Sequence, residues 1–163
     1  MNVSLLLHAT AVEIDGRAVL LRGPSGSGKS DLGLRLIDAG ARLVADDQSE
    51  LSRHGDVLMV RAPATIAGLL EVRGLGILRL DALGEAPVGL IAELVPADRV
   101  ERMPPRRTSA ILGIAVPLIE IAPFEASATA KLRLALRAVA APLKESNGQF
   151  PPFCFPNRTE AAR

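Results

Sequence analysis

The sequence predicts one α/β domain across residues 1–163, a mixed sheet with flanking helices built around a single phosphate-holding loop. Three observations carry that expectation. The stretch RGPSGSGKSDLGL at 22–34 lies between an apolar strand and a helix with one apolar face; strand-like and helix-like periodicities alternate along the chain; and 163 residues suffice for one sizeable core but not for two.

The elements follow in order. VSLLLHATAVEI (3–14) and RAVLLRG (17–23) alternate around the turn signal Asp15-Gly16, which reads as a hairpin whose second strand enters the glycine loop. From Lys29, the spacing of Leu32, Leu36 and Ile37 predicts a helix that Gly40 terminates. ARLVADD (41–47) is a short apolar strand ending in two carboxylates, and 49–63 reads as a second hairpin around His54-Gly55-Asp56. ATIAGLLEVRGLGILRL (64–80) suggests a helical turn breaking into an irregular glycine-rich segment. VGLIAELV (88–95) and VPLIEIA (116–122) are strands, separated by an exposed basic loop at 96–109. Leu132, Leu136 and Val139 give one face to a last helix limited by Pro142, and 146–163 is expected to be an irregular tail.

Composition excludes several classes. With 19 basic against 18 acidic side chains, the chain lacks the field that tracks nucleic acid or anionic lipid. No window is apolar enough for a membrane helix and the N-terminus lacks a secretory pattern. Cys154 stands alone, so no intramolecular disulfide forms, and a reducing, cytoplasmic setting is expected.

Gly23, Gly28, Lys29 and Ser30 fit G-x-x-x-x-G-K-[ST], the P-loop pattern, with Pro24, Ser25, Gly26 and Ser27 between. The glycines let successive N–H groups turn inward, the helix adds its positive end, Lys29 neutralises phosphate and the Ser30 hydroxyl suits Mg²⁺. The cradle holds a nucleotide such as ATP without deciding the reaction. Asp46 and Asp47, at a strand end, point to opposite sides, so one could hold an ion while the other takes a proton; both also suit a turn cap. His8 lies on an apolar strand, where a satisfied structural role competes with function. Glu71 and Arg73 flank the break at Gly74 and Gly76, where a carboxylate could reach a metal, while Arg102, Arg106 and Arg107 either assist phosphoryl transfer or stay solvated.

Taken together, His8, the block 23–47, EVRGLGILRL (71–80), ERM (101–103) and ILGIAVPLIEI (111–121) resemble the HPr kinase/phosphorylases. These bacterial enzymes use a P-loop kinase-like domain to phosphorylate, and often dephosphorylate, a serine of the phosphocarrier HPr. The resemblance covers roughly residues 4–125. It implies ATP and Mg²⁺ as cofactors, nucleotide binding by Gly23 to Ser30, Ser30 and Glu71 as Mg²⁺ ligands with Asp46 in support, and His8, Lys29, Asp47 and Arg102 as catalytic, with Asp47 accepting the proton of the attacking serine. An HPr-type carrier is the implied partner, and a homo-oligomer, commonly a hexamer, the implied assembly.

The chain departs from the pattern twice. Seven residues precede His8, so it looks like a short form without the family's N-terminal domain and the regulation that domain brings. After the strand at 116–121, APFEASATAKL (122–132) replaces an arginine-bearing loop linked to dephosphorylation, so the phosphorylase direction is expected to be weak or missing. Two other readings keep the cradle: a small-metabolite kinase with 98–107 as its lid, and a non-catalytic nucleotide sensor.

Overall fold

In a computed structural model that describes residues 3–140, the first hairpin forms where the alternation and the Asp15-Gly16 turn place it, β1 (Ser4–Ile14) pairing antiparallel with β2 (Arg17–Arg22). β2 runs into the glycine loop and α1 (Lys29–Asp38) leaves it. The helix ends in a Schellman arrangement: Ala41 N–H donates to Leu36 C=O and Gly40 N–H to Ile37 C=O, with Gly40 at φ 103°, a conformation only glycine adopts cheaply.

β3 (Arg42–Ala45) and β4 (Gln48–His54) lie in one register along β1, Ala11 opposite Ala45 and His8 opposite Gln48. They read as a single strand broken at Asp46-Asp47, beside Ala9 and Thr10. β4 turns into β5 (Val57–Arg61), and β8 (Glu85–Leu94) pairs antiparallel with β5 through its first residues, then parallel with β2. The path β2-β1-β4-β5-β8 therefore closes on itself. β10 (Ile114–Ile121) adds a second parallel neighbour to β8, and β9 (Arg107–Ile111) forms the antiparallel edge.

Alternate residues face two cores. Val19, Leu21, Leu90 and Ala92 meet Leu32 and Leu36 of α1 and Leu132 and Leu136 of α2 (Ala128–Ala140). Ala18, Leu20 and Ile91 point the other way, to Leu51, Leu58, Val60 and Val116, a core made by strands folding over strands. Both helices thus cover the same face of the sheet, and the second face is closed without one.

Two segments differ from the sequence expectation. After a 3₁₀ turn at Ala64–Ile66, 69–79 is not irregular but a hairpin, β6 (Leu69–Val72) with β7 (Gly76–Arg79), because Leu75 N–H bonds back to Val72 C=O and closes the turn. The loop after Pro96 contains a 3₁₀ turn (Ala97–Arg99) and gives way to β9 at Arg107, whose guanidinium pairs with Glu101 and, at 3.4 Å, with Glu120 on β10. Pro142, Cys154 and the tail expected at 146–163 lie outside the described residues. Among the described residues, no helix is long and apolar enough to cross a membrane.

Candidate active site

The glycine loop ends at Gly28, the N-cap of α1, at φ 97°. A side chain there would be strained by the backbone alone, and its Cβ would also lie 2.9 Å from the ring of Phe124. Lys29 opens the helix but turns back over the loop: its Nζ donates to the carbonyls of Gly23 at 2.8 Å and Pro24 at 2.9 Å. Burial pushes the pKa of this ammonium below its ordinary value, an effect opposed by the nearby charges of Asp47 and Asp46. At the loop's start, Arg22 on β2 bonds Glu93 on β8 at 2.6 Å, bracing the strand pair that carries the cradle.

Asp46 is the hub. Its buried carboxylate accepts from the Thr10 hydroxyl and from the Ser30 hydroxyl, both at 2.8 Å on one oxygen, and from the Glu71 N–H at 3.1 Å on the other. One side chain therefore ties the helix start, β1 and β6 together. Thr10 follows His8 by two residues, so the two share a face of β1, and its methyl touches α1 where Gly33 permits close approach. That role was open to period-2 reasoning from His8, but a threonine in an apolar strand gives no chemical signal by itself.

The next residue does the opposite. Asp47 sits at φ 64°, a left-handed kink that aspartate tolerates better than most residues. The kink turns its carboxylate outward, to 3.3 Å from Nδ1 of His8, with the two side chains 68% and 48% exposed. The divergence of the two aspartates inferred from their adjacency is what the structure shows. The pair His8–Asp47 stands at the open edge of the cradle, beside the charge of Lys29.

Glu71 reaches this corner through its main chain, with its side chain exposed. Arg102 is exposed in the loop before β9, and no hydrogen bond or ion pair draws it to the aspartates. Arg107 is held by Glu101 and Glu120. The structure thus brings together His8, Lys29, Ser30, Asp46, Asp47 and the backbone of Glu71, and leaves Arg102 apart.

These residues fit a magnesium–triphosphate. The Ser27 hydroxyl is buried in the loop without a partner, the kind of orphan donor a phosphate oxygen satisfies. Ser30 and Asp46 place a hydroxyl and a carboxylate together as magnesium requires. No cluster of three or more His, Cys, Asp or Glu exists among the described residues.

A strand, a glycine cradle and a helix whose serine bonds an aspartate at the end of an adjoining strand define an α/β domain of the P-loop kinase-like kind. Comparison with known proteins refines this: the family model for the HPr Serine kinase C-terminal domain matches residues 1–140, and the chain belongs to that family. An HPr kinase/phosphorylase from Burkholderia lata is 41% identical over 126 residues, covering 71% of this chain and 39% of that protein, and one from Burkholderia cenocepacia matches equally. The chain therefore spans about two fifths of the length of these relatives. The solved structure of the Hpr(Ser) kinase/phosphatase from Coxiella burnetii superposes with a TM-score of 0.73 at 29% identity, over 82% of this chain and 94% of that one.

Proposed function

We propose that this domain transfers the terminal phosphoryl group of ATP to a serine hydroxyl on an HPr-type phosphocarrier protein. The observation that carries the reading is the openness of the acceptor corner. The side chains of His8 and Asp47 are 48% and 68% exposed beside the buried Lys29, so a hydroxyl on a folded protein can approach them. A small-metabolite kinase would enclose its acceptor among polar groups instead. The exposed apolar residues Leu75 and Ile77 support a protein acceptor, since Ile77 lies opposite Glu71, whose N–H bonds Asp46.

The inward N–H groups of the loop and Lys29 bind the phosphates, and the Ser30 hydroxyl with Asp46 would hold Mg²⁺, which supplies charge neutralisation on the transferring group. Asp47 accepts the serine proton as the serine oxygen bonds phosphorus and the bond to the leaving diphosphate oxygen breaks. His8 orients the Asp47 carboxylate, and docking of the carrier places the hydroxyl, the larger part of the rate gain for so weak a nucleophile. Glu71 as a second magnesium ligand and Arg102 as a charge stabiliser belong to this reading through the family resemblance, and Arg102 requires the loop at 100–106 to approach when the carrier docks.

ATP consumption measured with and without carrier tests the proposal. Turnover that depends on the carrier is expected. Turnover with a small hydroxylated compound and no carrier would replace the reading with a metabolite kinase, and tight ATP binding without turnover with a sensor.

A further inference from the structure

Beside the cradle, the C-terminal ends of the parallel strands β2, β8 and β10 enclose a cavity of about 510 Å³. Pro24 and Ser27 of the cradle form one wall, residues 94–97 after β8 a second, and residues 122–125 after β10 a third. Crevices at the carboxyl ends of parallel strands are where α/β proteins take ligands. Because the cradle is itself a wall, a ligand with its phosphates in the loop carries the rest of its mass into this space.

Phe124 stands at the rim. Its ring rests on Gly28 and the residue is 73% exposed, an aromatic face with open space in front of it. Its neighbours are pinned: Arg35 of α1 donates to the Pro123 carbonyl, and Glu125 pairs with Lys131. The backbone that carries the ring is thus held at the mouth of the cavity.

We propose that this cavity is the nucleobase subsite of the triphosphate donor, that Phe124 is the side chain on which the base stacks, and that the subsite accepts purines without reading their edges. The inference rests on the phosphotransferase reading of the cradle. Edge reading needs free donors and acceptors, and this lining has few. Pro24, Pro96 and Pro123 carry no N–H, while the N–H groups of Ser27, Val95 and Glu125 are bonded to Pro24, Ile121 and Ala122 carbonyls. The polar side chains are Ser27, which lies in the phosphate loop, and Glu125, which is engaged by Lys131. Stacking is indifferent to the base because every base has a π-face, and an apolar wall separates similar shapes poorly.

Calorimetric titration of the chain and of Phe124→Ala with ATP, GTP and inorganic tripolyphosphate, all with Mg²⁺, tests this. The expected result is ATP and GTP affinities within about fivefold of each other, both weakened about tenfold or more in Phe124→Ala, with tripolyphosphate affinity kept within about twofold. As the chain has no Trp or Tyr, Phe124→Trp adds a lone fluorophore that both nucleotides should quench and tripolyphosphate should not. Equal loss for all three ligands in Phe124→Ala, or a preference between ATP and GTP beyond about 20-fold, would overturn the subsite while the cradle stands. Failure of all three to bind would overturn the cradle reading and the subsite with it.

Discussion

Neutralising either aspartate of the Asp46-Asp47 pair should produce opposite phenotypes, and the structure sets their size. The Asp47 carboxylate makes one exposed contact, 3.3 Å from His8, and such pairs contribute about 1 kcal/mol or less. Asparagine also tolerates the left-handed backbone at this position. Asp47→Asn should therefore shift the melting temperature by less than about 3 °C and leave ATP affinity nearly unchanged. A general base contributes about 10²- to 10⁴-fold, so phosphoryl transfer should fall by that factor. Asp46 instead accepts three hydrogen bonds in a buried site, one from the fully buried Thr10. Asp46→Ala strands those donors, at about 1–2 kcal/mol each, and should cost about 4 kcal/mol and lower the melting temperature by about 10 °C. Thermal melts followed by circular dichroism, ATP calorimetry and a transfer assay on both variants give the comparison. An Asp47→Asn protein that melts like Asp46→Ala, or that keeps a third or more of the transfer rate, would refute the division of labour.

Other consequences follow from the same geometry. Gly28→Ala should lose about 1–2 kcal/mol to backbone strain in a denaturant melt, and adding Phe124→Ala should not restore it, because the exposed ring can swing aside whereas φ 97° cannot relax. Lys29 has a lowered pKa in the free protein, so triphosphate affinity, present while the ammonium is charged, should decline as pH rises through that pKa, earlier than for a free lysine and by up to about tenfold per unit. Over the same window, below the ordinary lysine value, the unfolded chain holds more protons, so stability of the nucleotide-free protein should rise with pH; Lys29→Arg should abolish both trends. Serine-phosphorylated carrier incubated with inorganic phosphate should release pyrophosphate slowly or not at all, given the arginine-free segment 122–127, and rapid release would contradict this.

Much of the cradle was legible because its chemistry is local. Gly23 to Ser30, the strand before and the helix after are one contiguous stretch, and the Gly40 terminator follows from a conformation few other residues reach. The carboxylate pair was legible as a pair, since adjacent strand-end residues diverge, but which of them is buried depends on a partner 36 residues away, Thr10, and on a register between β1 and the broken strand β3–β4. The hairpin at 69–79 was hidden because Gly74 and Gly76 resemble breakers until pairing between Glu71 and Ile77 is seen. The placement of both helices on one face was hidden too: alternation says that Leu20 and Leu21 part, not that strands rather than a helix cover Leu20. Phe124 drew notice only as part of a substituted loop, because nothing in its own neighbourhood announces contact with Gly28.

The proposed transfer is tested by following label from the terminal phosphate of ATP to a purified HPr-type carrier, run beside a carrier whose acceptor serine is alanine. Label is expected on the first carrier alone, dependent on Mg²⁺ and lost in Asp47→Asn. Equal labelling of both carriers, or none on either from protein that binds ATP, would contradict it.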